Sequence, residues 1–351
     1  ITALDNKDVS ARELLTMHLD RINRLDGDVN AVVTLAPDRA EAEATEIDNA
    51  RAGGADLGRL AGVPITIKDA LATEGIRSTG GAVELRDFVP DTDAVAVAKV
   101  RNEGAVVFGK TNVPRWSGDY QCYNEMFGTT NNPWDVERTP GGSSGGPAAA
   151  VAMGFTGFEI GTDIGGSIRL PASHCGVYGH KPSFGVIPTH GYLDSVAYHR
   201  NVSDVNVFGP IARSIDDLDL LVDLLAGPNP DDAPGWRLEL PPPRAAELAD
   251  FRVAAWLDDS FCPVDDSVSA VLQNVVAALE DAGAQISHTA RPDLEPMAAA
   301  VNGSNLIGSA TDISEMQEGM SHLVWDVMHR QRGEIRQRWS KFFGDIDVLL
   351  C

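Results

Sequence analysis

Apolar and polar positions follow two patterns along this chain, one typical of amphipathic helices and one typical of short buried strands. Residues 10–26 begin with a Ser10/Glu13 capping-box pattern and continue with apolar residues at spacings of three and four, which predicts a helix. The run LAGVPITIKD is apolar and β-branched as far as Lys68, which predicts a short buried strand that ends at this lysine. Because the chain has only six lysines, a lysine in this apolar setting is a candidate functional residue.

The same reasoning assigns elements to the rest of the chain. They are a helix from Pro37 to Gly53, a helix at 92–103, the strand AVVFGK, a helix at 145–153, the strand FEIGTDIG, a helix at 214–227, a strand–helix–strand unit from Phe251, a helix at about Met316–Phe343 and the strand DIDVLL. This alternation predicts an α/β protein with a largely parallel sheet covered by helices. Residues 227–243 are rich in Pro and Gly and form a linker-like segment.

Composition excludes some classes of partner. The formal net charge is −23, whereas binding to nucleic acid phosphates or to an anionic membrane surface needs a basic face. The longest apolar runs, such as Ala148–Met153, are too short to span a membrane. We therefore expect neither nucleic acid nor a membrane as a partner.

The four cysteines show no C-x-x-C spacing, so they suggest neither a zinc site nor a redox pair. Four scattered thiols in a chain of this length predict reduced, mostly buried cysteines and a cytoplasmic location. The chain does not begin with Met and it ends on the apolar run Val348–Cys351. We expect it to be a fragment of a longer protein.

The stretch RTPGGSSGGPAAAVAMG, residues 138–154, admits three interpretations. GGSSGG could be a flexible linker, but an alanine-rich helical run follows it directly. A phosphate-binding loop needs a lysine in the loop or a strand before it, and both are missing. A nucleophile elbow needs a strand that leads into the serine, and the preceding NNPWDVERTP is not one.

A second glycine-flanked serine, Ser167 in GTDIGGSIRLP, suggests a different arrangement. Ser167 lies 24 residues after Ser143, and Lys68 lies 75 residues before Ser143. The stretches GVPITIKD, NNPWDVERTPGGSSGG and GTDIGGSIRLPASHCGVYGHKPSFG resemble the amidase signature family in this order. The resemblance implies an amidase signature fold, a large mixed and mostly parallel twisted sheet with helices on both faces. It also implies a single domain over 1–351, with a catalytic core at about 58–215 and a further region at 244–351.

The resemblance also implies roles for individual residues. Ser167 is the implied acyl-enzyme nucleophile, Ser143 the bridging serine with a cis peptide bond before it, and Lys68 the base. Backbone N–H groups would form the oxyanion hole, from the residues Ile164, Gly165, Gly166 and Ser167. A lysine acts as a base only when it is neutral, and burial favours that form. A hydroxyl both donates and accepts, so Ser143 can pass a proton from Ser167 to Lys68.

Other residues of these motifs receive weaker assignments. Ser144 is expected to cap the following helix rather than take part in catalysis. Asp163 and Arg169 flank Ser167, and we expect them to brace the loop. Candidate substrate contacts are Ser117, Gln121, Thr162 and Asp163.

The sequence supports three functions. The favoured one is a serine amidohydrolase for a small-molecule amide, without a metal or other cofactor, and the resemblance allows a homodimer. The second is the glutaminase subunit of a tRNA-dependent amidotransferase, in which a Thr is more usual at the position of Ile164. The third is an inactive amidase-like scaffold, if the chain is truncated.

Overall fold

The computed structural model describes residues 1–195, 202–310 and 321–351, which form ten α-helices and eleven strands. The helices are α1 (Thr2–Asp5), α2 (Ala11–Leu25), α3 (Pro37–Ala52), α4 (Val95–Asn102), α5 (Gly145–Met153), α6 (Arg169–Cys175), α7 (Ile215–Leu225), α8 (Asp266–Asp281), α9 (Pro296–Ala310) and α10 (His322–Asp345). The strands are β1 (Val32–Leu35), β2 (Pro64–Lys68), β3 (Val106–Thr111), β4 (Tyr123–Asn124), β5 (Gly128–Thr129), β6 (Glu159–Asp163), β7 (Tyr178–Gly179), β8 (Val207–Ala212), β9 (Arg252–Ala255), β10 (Gln285–Ser287) and β11 (Val348–Leu350).

The helix signals in the sequence act as predicted. The Ser10 hydroxyl accepts from the backbone N–H of Glu13, whose carboxylate accepts from Ser10 in return, so a complete capping box begins α2. Pro37 is the first residue of α3, where its missing N–H costs no helical hydrogen bond. The predicted start of the last long helix at Met316 lies outside the described residues.

The described residues form two compact units, Ile1–Leu238 and Glu239–Cys351. The boundary between them lies within the predicted linker 227–243, a segment dominated by proline, glycine and polar residues. The single domain over 1–351 stays a prediction.

The expectation of a mostly parallel sheet is wrong for the described ladders. In the first unit, β2 runs parallel to β3, but β1 is antiparallel to β3, and β8 is antiparallel to both β6 and β7. The hairpin β4–β5 is also antiparallel. Within the described ranges, only the second unit contains a fully parallel sheet, in which β9 lies between β10 and β11. The hydrophobic pattern located β2, β3, β6, β9, β10 and β11, and it missed the other described strands. It carries no information on strand direction.

Helices cover both faces of the strands in the first unit, as expected. Ile65, Ile67 and Val107 belong to one core together with apolar residues of α4 and α7. Val106 and Phe108 belong to the other core, with apolar residues of α2, α3 and α5. Neighbouring residues of a strand point to opposite faces, so strands buried on both sides are apolar throughout.

Two further expectations concern membrane-spanning segments and the thiols. None of the helices in the described ranges is long and apolar enough to cross a membrane. Cys122 and Cys175 are buried as expected, whereas Cys262 and Cys351 are exposed.

Candidate active site

Lys68 is the last residue of β2 and its side chain is fully buried. Its Nζ lies within hydrogen-bond distance of three hydroxyl oxygens, at 2.8 Å from Ser143 Oγ, 2.9 Å from Ser144 Oγ and 2.7 Å from Thr162 Oγ1. Burial lowers the pKa of Lys68 from 10.5 to about 7. Three hydroxyls can satisfy the amine in both forms, since the ammonium donates to all three and the neutral amine donates to two and accepts from one. Burial is therefore what favours the uncharged lysine.

Ser143 and Ser144 lie in the loop that leads into α5. The peptide bond between Gly142 and Ser143 is cis, as the resemblance implied. Ser144 occupies the N-cap position of α5, but its side chain makes no capping hydrogen bond. The expected capping role is thus wrong, because the Ser144 hydroxyl is used at Lys68 instead.

Gly142 is required by its surroundings. A Cβ at this position would lie 2.6 Å from the carbonyl oxygen of Asp119 and 2.7 Å from that of Gln121, both of them backbone atoms. These contacts are too short for any side chain. The loop that carries Ser143 is therefore packed directly against the segment 119–121.

We expect Gly142→Ala to lower the free energy of unfolding by roughly 1–3 kcal/mol, because the added methyl group must displace backbone. Denaturant unfolding measures this change. In the control Gly53→Ala, the new Cβ meets its nearest atoms at 3.5 Å, which is ordinary contact. An unfolding free energy of Gly142→Ala equal to that of the control would contradict the packing described here.

Ser167 follows β6 in the loop before α6, and 8% of its surface is exposed. Its backbone carbonyl accepts from the N–H of Ser144 at 3.1 Å, which joins the two serine loops. Among the described residues, no hydrogen bond joins the hydroxyls of Ser143 and Ser167. The structure therefore brings Lys68 and Ser143 into contact and leaves the Ser167 hydroxyl without a partner in the described part of the chain.

Asp163 braces the loop, as expected. The prediction that it also contacts a substrate does not fit its hydrogen bonds. Its fully buried carboxylate accepts from the backbone N–H of Gly166 and of Ile168, and forms two hydrogen bonds with the Arg169 guanidinium. Because these donors occupy both oxygens, the carboxylate is not available to a substrate. They also hold the pKa of Asp163 below its ordinary value against the opposing effect of burial.

The same contacts correct the predicted oxyanion hole. The N–H of Gly166 already donates to Asp163 Oδ1 at 2.8 Å, so it is not free to stabilise an oxyanion. The N–H groups of Ile164, Gly165 and Ser167 have no acceptor among the described residues. These three groups are the remaining candidate donors.

The other predicted substrate contacts have different environments. Thr162 bonds to Lys68 and so belongs to the lysine site rather than to a substrate pocket. The Ser117 hydroxyl is buried without a hydrogen-bond partner in the described structure, and both Ser117 and Trp116 have positive φ. Gln121 is exposed, and its backbone N–H donates to Asp119.

Sequence reasoning missed two buried titratable residues, one on β3 and one on β6. Lys110 and Glu159 are fully buried, and burial lowers the pKa of Lys110 to about 8 and raises that of Glu159 to about 7. Lys110 Nζ donates to the carbonyl oxygen of Leu71 and to the Thr73 hydroxyl, both at 2.6 Å. The scarcity of lysine was a signal for Lys110, because it stands one residue before the end of β3 and Lys68 ends β2.

Comparison with known proteins identifies the family. The family model described as Amidase matches residues 13–319. A glutamyl-tRNA(Gln) amidotransferase subunit of Moorella thermoacetica is 39% identical over 295 residues, which are 83% of this chain and 59% of that relative. The chain thus spans about three fifths of that relative's length.

Solved structures give the same family. The peptide amidase of Stenotrophomonas maltophilia is 28% identical and matches with a TM-score of 0.70, over 81% of this chain and 60% of that one. A protein from a vestigial complex, described as revealing the origins of an s-triazine catabolic enzyme, matches with a TM-score of 0.82 and 28% identity over 99% of this chain and 79% of that one. The chain therefore belongs to the amidase signature family of amide-cleaving enzymes.

Proposed function

We propose that the chain hydrolyses a carboxamide through an acyl-enzyme on Ser167, with Ser143 as proton relay and Lys68 as base. The observation that carries the proposal is the fully buried Lys68 with its Nζ 2.8 Å from the Ser143 hydroxyl. A serine hydroxyl is a weak nucleophile until a base accepts its proton. A lysine with a pKa of about 7 is partly neutral at physiological pH and can accept that proton.

The first half of the reaction forms the acyl-enzyme. Ser143 donates its proton to neutral Lys68 and accepts the proton of Ser167, while Ser167 Oγ forms a bond to the amide carbon. The carbonyl π electrons move to the oxygen and give a tetrahedral oxyanion. Return of the proton along the same path to the amide nitrogen allows the C–N bond to break, so that ammonia or an amine leaves.

The second half repeats these steps with water. Water gives a proton to the relay and attacks the acyl carbon, and the Ser167 oxygen leaves with that proton as the acid forms. The N–H groups of Ile164, Gly165 and Ser167 are the proposed oxyanion donors. A single donor of this kind contributes about 3–4 kcal/mol of transition-state stabilisation.

A second candidate function is the glutaminase subunit of a tRNA-dependent amidotransferase. The similarity to the Moorella thermoacetica amidotransferase subunit favours it. The same three residues would then release ammonia from glutamine, and the protein would work beside other subunits. Ile164 stands against this candidate, because Thr is more usual there in those glutaminase subunits.

We expect the protein to release ammonia from simple aliphatic or aryl carboxamides without any added partner protein. Ammonia release from a panel of these amides and from glutamine measures this expectation. Turnover of glutamine alone, dependent on tRNA and a partner protein, would instead establish the second candidate. An absence of turnover on every substrate, together with no acyl adduct in the intact mass, would support the inactive scaffold.

A further inference from the structure

Glu159 begins β6 with a carboxylate that is wholly buried beneath the site. Its Oε1 accepts from Thr66 Oγ1 at 2.6 Å and from Thr111 Oγ1 at 2.9 Å. Its Oε2 is buried and has no hydrogen-bond partner in the described part of the chain. A buried carboxylate with donors on one oxygen only is poorly solvated, which disfavours the ionised form.

The strands place this carboxyl group close to Lys68. Thr66 and Lys68 are alternate residues of β2, so their side chains share one face and their Cα atoms are about 6–7 Å apart. Thr66 bonds to Glu159 of β6, and Lys68 bonds to Thr162 of the same strand. Thr66 and Lys68 thus both contact β6 from one face of β2, which places the Glu159 carboxyl group on the face of β2 that carries the Lys68 amine.

Two other titratable groups act on Lys68, and neither changes its charge near neutral pH. Asp163 is paired with Arg169, and burial raises the pKa of the Cys122 thiol to about 11, so that thiol stays neutral. From β3, Lys110 faces Glu159, and it also interacts with Asp69, the residue after β2. The sequence of α5, GGPAAAVAM, contributes no titratable side chain.

Of the carboxyl groups that act on Lys68, Glu159 is thus the one whose charge changes near neutral pH. Its pKa is raised to about 7 by burial, and its charge raises the pKa of Lys68. The charge of Glu159 therefore favours the ammonium form of Lys68 against the larger, opposing effect of burial.

We infer that Glu159 acts on catalysis through Lys68: its buried carboxylate, bonded to Thr66 on the face of β2 that carries Lys68, favours the protonated form of that amine. An ionised Glu159 favours the ammonium form of Lys68, and a protonated Glu159 does not. The inference rests on the proposed role of Lys68 for its effect on catalysis. The coupling between the two groups can be measured without catalysis.

In Glu159→Gln, the negative charge is absent, and we expect the titration of Lys68 to move to lower pH by about one unit. The measurement is the pH titration of the Lys68 side chain by NMR with labelled lysine, assigned by the signal lost in Lys68→Met. The acid limb of kcat/KM for amide hydrolysis should move in the same direction. The control Glu137→Gln removes an exposed carboxylate, and there the Lys68 titration should not change.

A second variant covers the case in which Glu159→Gln does not fold. Thr111→Val removes one donor from the carboxylate and so raises the pKa of Glu159, which makes its charge smaller at neutral pH. The Lys68 titration should then move in the same direction by a smaller amount.

The outcomes separate the inference from the proposed function. An unchanged Lys68 titration, or one that moves to higher pH in a folded variant, would overturn the inference. A fall in activity at every pH with no change in the Lys68 titration would likewise overturn it, because it would show a structural role only. A shifted titration in a protein that hydrolyses no amide would support the coupling and overturn the proposed function.

Discussion

Ser167→Ala is expected to abolish both amide turnover and covalent labelling by a fluorophosphonate probe. The alanine has no oxygen to form the acyl bond, and the loss of a serine nucleophile lowers kcat by about 10⁶-fold. Turnover is measured as ammonia release, and labelling is measured as the increase in intact mass. The side chain of Ser167 makes no hydrogen bond among the described residues, so we expect the variant to keep its stability.

Ser173→Ala is the matched control for this experiment. Ser173 lies on α6, six residues after Ser167, and is exposed. This variant should still be labelled by the probe. Labelling of Ser167→Ala at the rate of the unaltered protein would assign the nucleophile to another residue.

Lys68→Met should remove the base and lower kcat/KM by about 10²–10⁴-fold, the usual contribution of a general base. The same change removes the cost of burying the amine. Burial of a lysine whose pKa falls from 10.5 to about 7 costs on the order of 4–5 kcal/mol at neutral pH. Three buried hydroxyls lose a partner in the variant, at about 1–3 kcal/mol each, and this opposing effect does not depend on pH.

The stability change caused by Lys68→Met depends on pH. Between pH 7 and 10.5 the unfolded chain keeps a proton on Lys68 that the folded protein releases, so the lysine penalty shrinks as the pH rises. The free energy of unfolding of Lys68→Met, relative to that of the unaltered protein, should therefore be higher at pH 6 than at pH 9, as measured by denaturant unfolding. The activity of the unaltered protein should rise through about pH 7, because the neutral amine is the active form. An equal change in stability at both pH values would contradict the buried, neutral lysine.

The local elements could be predicted because their causes are local. The capping box of Ser10 and Glu13 specifies the beginning of α2, and Pro37 specifies that of α3. The β-branched run before Lys68 predicted a buried strand that ends at this residue, and β2 does so. The motifs around Lys68, Ser143 and Ser167 also identified the family, since their order and spacing are properties of the chain itself.

The contacts of single side chains could not be predicted in the same way. A serine before a helix is an ordinary N-cap, so Ser144 was assigned to α5, whereas its hydroxyl bonds to Lys68 from another part of the chain. Asp163 beside the predicted nucleophile looked accessible to a substrate, but Gly166 and Arg169 occupy its oxygens. Each choice depends on which partner lies nearer in three dimensions.

The sequence by itself determined the family, the positions of many helices and strands, and the identity of the three proposed catalytic residues. Only the tertiary structure decided which strands are parallel, which N–H groups are open to an oxyanion, and that Glu159 bonds to Thr66 on the face of β2 that carries Lys68. The physical reason is the range of the interactions. Propensities and caps act within a few residues, whereas the burial that sets the pKa values of Lys68 and Glu159 comes from segments that are distant in the chain.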